Sequence, residues 1–314
     1  MKLFIQIPCL NEEKTLSLVL KDIPKKIPGI DSIEILVIND GSTDDTVAVA
    51  KQYGVKHFVH HRGNQGLAKS FRDGLWYALE HGADIIVNTD GDNQYPGSSI
   101  SDLVQPILEQ RADLVIADRQ IQSIADFSRG KKLLQRFGTW VLNQAGKTDV
   151  PDAPSGFRAY SREAALRLNV VTRFSYAMET LIQAGNKGIA IASIPITVNP
   201  KTRESRLFNS NAEHVIKSGV AILRAFVMYR PYTLFITLGW VVLLAGLIPF
   251  VRYMIFALDG DGRGHLQSLI LGTVLLTAAF ISFTLGVIAD LIRINRTLIE
   301  DNLELSKRAA LKQE

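Results

Sequence analysis

The stretch IEILVINDGSTDD, residues 33–45, carries the pattern that decides the fold, because an apolar run is followed at once by Asn, Asp and Gly. A short run of Ile, Leu and Val that ends in such residues is typical of a buried strand entering a loop. The pattern occurs twice more, as LFIQIPCLNEE at 3–13 and DIIVNTDGDNQ at 84–94. The amino-terminal half therefore predicts buried strands with polar loops at their carboxyl ends.

Segments with helical spacing separate these strands. The first carries an apolar stripe over residues 16–23, and the second opens with a capping box formed by Ser42 and Asp45. The sequence predicts strands at 3–7, 34–39, 55–60, 84–89 and 113–117. This alternation predicts an α/β fold with a doubly wound parallel sheet, which binds ligands where the loops after its strands meet.

Composition and motif content exclude several classes of protein. The 314 residues include one cysteine, Cys9, which rules out an intramolecular disulfide framework. A net charge of +4 is too small to indicate nucleic-acid binding. No Gly-x-Gly-x-x-Gly follows the first strand and no P-loop motif occurs, which argues against Rossmann dinucleotide enzymes and P-loop NTPases. The six histidines show no zinc-binding spacing.

Two long apolar segments lie in the carboxyl-terminal third. Residues 232–251 and 269–288 are each twenty residues without a charge, and about 20 helical residues cross a hydrocarbon core. Buried core helices are the alternative, but soluble helices rarely run so far without a charged residue. The sequence predicts two membrane-spanning helices, at about 232–256 and 266–292.

Basic residues predict the orientation of these spans. They precede the first span and follow the second, at Arg203, Arg206, Lys217, Arg224, Arg230, Arg293, Arg296, Lys307 and Arg308. The positive-inside rule then puts both termini in the cytoplasm. Residues 207–230 predict an amphipathic helix, which either packs on the globular domain or lies in the membrane interface. The expected organisation is a globular domain at 1–206, this interfacial region at 207–230, and a membrane region with a cytoplasmic tail at 231–314.

Asp90, Gly91 and Asp92 follow the predicted strand at 84–89. Two carboxylates one residue apart can bind one hard cation, and Mg²⁺ or Mn²⁺ held there can neutralise a departing diphosphate. Asp and Gly also form ordinary turns, so the triplet alone leaves both interpretations open.

Five motifs stand in order along the chain: IPCLNEE at 7–13, NDGSTD at 39–44, NQG at 64–66, DGDNQYP at 90–96 and SGFR at 155–158. In order and spacing they resemble those of the inverting family 2 glycosyltransferases. The polyprenyl-phosphate branch, which includes dolichyl-phosphate mannose synthase and bacterial undecaprenyl-phosphate glucosyltransferases, is the most similar. The resemblance covers roughly residues 1–206, and the paired spans resemble those of the bacterial members.

The resemblance implies a GT-A fold that binds a nucleotide-sugar, for which we expect a UDP-sugar. The residues expected to bind the donor nucleotide are Pro8, Asn11, Glu12, Asp40 and Asp90. The resemblance further implies that Mg²⁺ or Mn²⁺ is held on the diphosphate by Asp90, Asp92 and Gln94, with Asp92 counted as catalytic.

A basic segment between the sheet and the SGFR motif fits the lipid-phosphate side of such a reaction. It predicts an amphipathic helix with an apolar stripe of Leu133, Leu134, Phe137, Trp140 and Val141. A solvated charged face is the alternative. The residues expected to bind the acceptor phosphate or the diphosphate are Arg119, Arg129, Lys132, Ser155, Arg158, Lys201, Arg203 and Arg206.

Asp152 lies between Pro151 and Ala153 and matches an acidic position that precedes the SGFR motif in the family. As a catalytic residue it would orient or deprotonate the acceptor. A phosphate monoester is already mostly a dianion at pH 7 and needs little help from a base. An Asp that only shapes a turn between prolines fits the sequence equally well.

The predicted function is transfer of one hexose from a nucleotide-sugar to a polyprenyl phosphate, with inversion, at the cytoplasmic face of a membrane, the bacterial inner membrane being favoured. No nucleic-acid partner is expected, and a homo-oligomer stays open because small residues in the spans allow close helix packing. One alternative is a processive polysaccharide synthase, although a Gln-x-x-Arg-Trp motif and further spans are missing. Another is a non-catalytic membrane scaffold or lipid-translocating protein, against which the intact acidic motifs argue.

Overall fold

The computed structural model describes residues 1–120, 129–171, 176–200, 220, 227–258 and 266–312. Its contacts divide the chain into two units. Met1–Ala225 and Glu300–Glu314 form the first unit, and Phe226–Ile299 forms the second. The predicted amphipathic helix at 207–230 lies almost wholly outside the described residues.

A seven-stranded sheet forms the centre of the first unit. Its strands are β1 (Lys2–Cys9), β2 (Ser32–Asn39), β3 (His57–His60), β4 (Ile85–Asn88), β5 (Leu114–Asp118), β6 (Arg158–Ser161) and β7 (Ile191–Pro195). They are ordered β3-β2-β1-β4-β6-β5-β7. The five strands expected from the sequence are therefore confirmed, each end to within two residues.

The five expected strands run parallel to one another, but β6, which the sequence did not predict, runs antiparallel between β4 and β5. Its first residue, Arg158, pairs with Asn88, the last residue of β4. The amino end of β6 therefore lies at the edge formed by the carboxyl ends of β1, β2 and β4. The reversal brings the SGFR motif to the edge at which the other motifs lie.

Helices pack on the sheet within the first unit, and helices also form the second unit. They are α1 (Leu16–Asp22), α2 (Thr46–Gln52), α3 (Leu67–Glu80), α4 (Ile100–Leu108), α5 (Arg129–Gly146), α6 (Arg162–Arg167), α7 (Tyr176–Asn186), α8 (Pro231–Leu258) and α9 (Leu266–Ala310). The apolar stripe expected at 16–23 is confirmed, since α1 buries Leu16, Val19 and Leu20. The prediction of a capping box is wrong. Asp45 makes no side-chain cap at the start of α2. The Ser42 hydroxyl accepts a hydrogen bond from the Asn11 amide instead.

The core lies between the sheet and its helices. Side chains from both faces of β1 are buried, including Leu3, Phe4 and Ile5, as expected of a sheet covered on both sides. Gln6, on the same strand, is also buried, and its side-chain amide donates to Asn88 Oδ1 at 2.9 Å. That bond gives the buried NH2 group of the Gln6 side chain an acceptor within the core.

The end of α9 packs on the first unit, in which residues from Glu300 onward are included. Lys307 Nζ donates to the carbonyl oxygen of Leu168 at 2.9 Å, just beyond the end of α6. Glu300 lies 3.5 Å from Lys187 Nζ, and Arg308 pairs with Glu163 at the start of α6. Lys307 thus gives the carbonyl groups of Leu166 and Leu168, at the end of α6, a donor.

Helices α8 and α9 are both long and apolar enough to cross a membrane, judged by length and composition. Glycines allow the two helices to approach closely: a methyl group at Gly246 would lie 2.9 Å from Leu275 Cβ, and one at Gly272 would lie 3.0 Å from Phe250 Cβ. The small residues noted in the sequence therefore serve close packing within one chain.

Helices α5 and α7 cross where both lack a side chain, at Gly146 and Gly185. A methyl group on Gly185 would overlap the carbonyl oxygen of Gly146. We expect Gly185→Ala to lower the free energy of unfolding by about 1–3 kcal/mol, since backbone at a crossing cannot move aside. Thermal unfolding of the detergent-solubilised protein measures this loss.

The control is Gly63→Ala, because a methyl group there has no atom within 4 Å. Its unfolding temperature should stay level or rise slightly. Equal behaviour of the two variants would contradict the crossing as described.

Candidate active site

The loops that follow β1 and β2 are joined by hydrogen bonds. The Asn11 amide donates to Ser42 Oγ at 3.0 Å, and Asn11 Oδ1 accepts from the Thr43 amide at 2.8 Å. The Glu12 amide donates to Thr46 Oγ1 at 2.8 Å. Asn11 has a positive φ of 56°, a conformation that Asn tolerates better than most residues. Asn11 and Glu12, which were expected in the donor site, thus also hold the loops after β1 and β2 together.

The loop that follows β4 packs against the loop that follows β1. Thr15 Oγ1 lies 2.8 Å from the carbonyl oxygen of Gly91, to which it can donate, and 2.8 Å from Glu12 Oε2. A methyl group at Gly91 would lie 3.2 Å from Glu12 Cγ. Glycine therefore lets the Asp90–Asp92 turn approach Glu12 closely.

Pro8 and Cys9 pack against the Asp90–Asp92 turn. A methyl group at Gly91 would lie 3.5 Å from the Pro8 carbonyl oxygen and 3.2 Å from Cys9 Sγ. Burial raises the pKa of the Cys9 thiol well above its ordinary value, and the charges of Glu12, Asp44 and Asp90 raise it further. Cys9 is thus a protonated packing residue rather than a nucleophile.

Asp40 organises the loop that contains the NQG motif. Its Oδ1 accepts from the Gln65 amide at 2.8 Å, and its Oδ2 accepts from the Gly66 amide at 2.9 Å. The ring of His61 lies 2.7 Å from Oδ1 through Nδ1. Asp40 is 5% exposed. Its three hydrogen-bond contacts therefore hold the buried carboxylate in one orientation.

Asp90 lies beside the SGFR loop. A methyl group at Gly156 would lie 3.7 Å from an Asp90 carboxylate oxygen and 2.7 Å from the Tyr176 hydroxyl. The Gly156 carbonyl oxygen accepts from Asn88 Nδ2 at 3.0 Å and from the Tyr176 hydroxyl at 3.1 Å. Burial, followed by the Asp90 charge, raises the pKa of Tyr176, which keeps this hydroxyl a donor. The two motifs are therefore in contact although Asp90 and Gly156 are 66 positions apart in sequence.

Asp152 forms a two-pronged pair with Arg119. Arg119 Nε donates to Asp152 Oδ2 at 2.7 Å, and its NH2 group donates to Oδ1 at 2.8 Å. The Asp152 side chain is fully buried, whereas that of Arg119 is 19% exposed. Both carboxylate oxygens are engaged, which favours orientation of Arg119 over proton abstraction and over a simple turn residue.

Arg158 contradicts the expectation that it binds a phosphate. It is fully buried, and its guanidinium donates within the fold to the carbonyl oxygens of Ser155, Ala153 and Ala177 and to Thr180 Oγ1, at 2.7–2.9 Å. The side chain therefore joins the SGFR loop to α7. Ser155 Oγ, by contrast, is buried and has no hydrogen-bond partner among the described residues.

The Asp90–Asp92 turn fits a hard divalent cation. Asp92 Oδ1 accepts from the Gln94 amide at 3.1 Å, which shapes the turn. In the described part of the chain, no group of three or more His, Cys, Asp or Glu side chains could hold a metal. Mg²⁺, however, is commonly bound through one or two carboxylates together with substrate phosphates and water. A cation at Asp90 and Asp92 would accordingly need the donor diphosphate to complete its coordination.

Helix α5 presents an aromatic pair on its outer face. Phe137 and Trp140 are 56% and 57% exposed, and their rings stack at 5.9 Å. Leu142 and Ala145 on the opposite face are buried. Lys132 is partly buried and Arg136 is exposed on the same helix. The Arg129 side chain and the residues Lys201, Arg203 and Arg206 were also expected to bind a phosphate. They lie outside the described part of the chain.

Comparison with known proteins identifies the family. The family model for glycosyl transferase family 2 matches residues 4–168, over half of the chain. The chain belongs to glycosyl transferase family 2. It is therefore an enzyme of the glycosyltransferase class, as the five motifs indicated.

Named relatives and a solved structure extend the family comparison. UDP-N-acetylglucosamine–dolichyl-phosphate N-acetylglucosaminyltransferase of Methanococcus voltae is 26% identical to this glycosyltransferase, over 62% of this chain and 84% of the relative. Polyprenol monophosphomannose synthase of Mycolicibacterium smegmatis is 24% identical, over 61% and 75%. Glucosyl-3-phosphoglycerate synthase of Mycobacterium tuberculosis, crystallised with Mn²⁺, UDP and glucosyl-3-phosphoglycerate, superposes with a TM-score of 0.55 at 23% identity, over 72% and 78%. The last similarity confirms the GT-A type of fold.

Sequence reasoning missed several side chains that support the site of this family 2 glycosyltransferase. Tyr176 and Asn88 hold Gly156, and His61 holds Asp40. For His61, its position directly after a predicted strand was the available signal. Tyr176 carried no signal in the sequence, because its contact with Gly156 depends on how α7 packs.

Asp152→Ala should lower the free energy of unfolding by about 3 kcal/mol, because it leaves the Arg119 guanidinium largely buried without its partner. The double variant Asp152→Ala/Arg119→Ala should be more stable than the sum of the two single losses predicts, since it removes both charges. Urea unfolding of all four proteins measures the coupling. Additive losses would contradict an energetically coupled pair.

Proposed function

We propose that this glycosyltransferase moves one hexose from a nucleotide-sugar, with a UDP-sugar favoured, to a polyprenyl phosphate, with inversion at the anomeric carbon. The observation that carries the proposal is the meeting of the Asp90–Asp92 turn with the SGFR loop at one edge of the sheet. The names of the relatives from Methanococcus voltae and Mycolicibacterium smegmatis, which refer to dolichyl phosphate and to a polyprenol monophosphate product, support this acceptor class.

The donor half of the proposed site consists of the loops after β1, β2 and β4. Pro8, Asn11, Glu12 and Asp40 would line the nucleoside, and Asp90 the diphosphate. Asp90 and Asp92, with Gln94, would hold Mg²⁺ or Mn²⁺, which when bound neutralises charge on the departing diphosphate. Because the two carboxylates belong to one tight turn, they bring two negative charges to that cation without a large ordering cost.

The acceptor half is built around Arg119 and the SGFR loop. Arg119 keeps part of its surface exposed while Asp152 holds two of its donors, so its remaining donors would bind the acceptor phosphate. An acceptor oxygen attacks the anomeric carbon as the bond between that carbon and the diphosphate oxygen breaks. The attacking phosphate needs no base at pH 7 because it is mostly a dianion there.

The same proposal places the enzyme in a membrane through α8 and α9, with both termini on the cytoplasmic side according to the basic flanks. Phe137 and Trp140 support a lipid-facing site, because aromatic side chains are enriched at membrane interfaces. Lys132, Arg136 and, as predicted from the sequence, Arg129, Lys201, Arg203 and Arg206 would attract the acceptor phosphate.

Asp92→Asn should lower the rate of sugar transfer about 100-fold or more, because the variant loses a carboxylate that stabilises charge on the leaving group. EDTA should silence the wild type until Mg²⁺ or Mn²⁺ is restored. Transfer of labelled sugar to undecaprenyl phosphate in detergent measures both effects. Asp102→Asn, at an exposed position of α4, is the matched control and should retain activity. Full activity of the wild type in EDTA would exclude the proposed metal site.

Replacing Phe137 and Trp140 together with Ser should raise the apparent KM for polyprenyl phosphate in vesicles about ten-fold, because an apolar contact with the lipid surface is lost. The KM for the nucleotide-sugar should stay within about three-fold. Tyr53→Ser removes another exposed aromatic side chain of the same unit and should change neither constant. A loss confined to the donor KM would instead assign this face to the donor side.

A further inference from the structure

His61 lies between two carboxylates. It follows β3 directly, and its side chain is only 7% exposed. Nδ1 lies 2.7 Å from Asp40 Oδ1, and Nε2 lies 3.1 Å from Asp73 Oδ2 on α3. Each ring nitrogen therefore lies within hydrogen-bond distance of one carboxylate oxygen.

The far end of this chain of contacts is anchored on a helix. Asp73 pairs with Lys69 Nζ one turn earlier and with Arg72 Nε at 3.3 Å. Burial alone would raise the pKa of Asp73, but the bonds and charges of Lys69 and Arg72 outweigh it and lower the pKa below its ordinary value. His61 is therefore tied to a charged carboxylate on a 14-residue helix, which fixes the ring more firmly than a loop would.

The hydrogen bonds of Asp40 show which of its atoms is left for a ligand. A carboxylate oxygen accepts about two hydrogen bonds. Within the described part of the chain, Oδ1 is used twice, by His61 and by the Gln65 amide, whereas Oδ2 is used once, by the Gly66 amide. Of the two oxygens, Oδ2 therefore accepts fewer hydrogen bonds within the described residues and can accept one more.

We infer that His61 is a positioning residue of the donor site, which holds Asp40 so that Oδ2 accepts a hydrogen bond from the nucleoside of the donor. The inference rests on the proposed nucleotide-sugar donor. A carboxylate that is already oriented binds its ligand without a further loss of rotational freedom. His61 would thus affect donor binding although it touches no substrate, and the metal turn at Asp90–Asp92 would be independent of it.

Two substitutions separate the two ends of the ring. In His61→Asn the side-chain amide nitrogen takes roughly the place of Nδ1 and keeps a donor toward Asp40. In His61→Gln it takes the place of Nε2, keeps a donor toward Asp73 and releases Asp40. His60→Gln is the matched control, because the neighbouring His60 is exposed and stacks on Phe58.

The full-length proteins are compared in detergent by calorimetric titration with UDP and GDP in Mg²⁺, using for the variants the diphosphate that the wild type binds more tightly. His61→Gln should weaken binding about ten-fold or more, as expected when a charge-assisted hydrogen bond no longer orients the acceptor. His61→Asn should stay within about five-fold of the wild type, and His60→Gln within two-fold. In transfer assays, His61→Gln should raise the donor KM while kcat at saturating donor changes less than three-fold.

Each other outcome has a distinct meaning. Normal affinity of His61→Gln overturns the inference alone and leaves the proposed function in place. Equal weakening in the Asn and Gln variants, with matching drops in unfolding temperature, also overturns it, because a purely structural residue would behave that way. Binding of neither diphosphate by the wild type overturns the proposed donor and the inference together.

Discussion

The backbone hydrogen bonds that hold β6 antiparallel between β4 and β5 bring the SGFR loop to the edge where the parallel strands end. In a wholly parallel arrangement the amino end of β6 would lie at the opposite edge, a strand length from Asp90. With the reversal, Gly156 lies against Asp90, and its carbonyl group is bound by Asn88 and Tyr176. The proposed donor and acceptor halves lie at one edge of the sheet because of this single inversion.

Buried charged side chains hold the loops at this edge of the sheet, and each of these side chains is paired in a different way. Arg119 and Asp152 form a direct pair, and His61 lies between Asp40 and Asp73. The Arg158 guanidinium instead donates to carbonyl oxygens of the loop before β6 and to a carbonyl and a hydroxyl oxygen of α7. A buried charge without partners would be costly, so these loops are held in the conformations that supply them. Loops held in this way would suit the proposed site, in which two anionic substrates would have to be oriented.

The motifs, the sheet and the membrane region are consistent with one another. Family 2 membership makes the chain a glycosyltransferase, and α8 and α9 have the length and composition of membrane spans. A lipid-linked acceptor would bring substrate and anchor to the same surface, where an exposed aromatic pair on α5 would meet lipid. Donor, metal turn and acceptor loop would then work at the boundary between water and bilayer.

The sequence by itself determined strands β1 to β5, the family and the residues of the acidic turn, because these depend on local patterns: apolar runs, turn formers and motif spacing. It also predicted the two apolar helices, since twenty uncharged residues need no partner to be recognised. Tertiary structure alone decided the direction of β6, the burial of Arg158 inside the fold, the pairing of Asp152 with Arg119 and the position of His61 between two carboxylates. Each of these depends on groups from separate parts of the chain meeting in space. Residue type and local spacing do not say whether a charge ends at the surface or is buried against a partner many residues away.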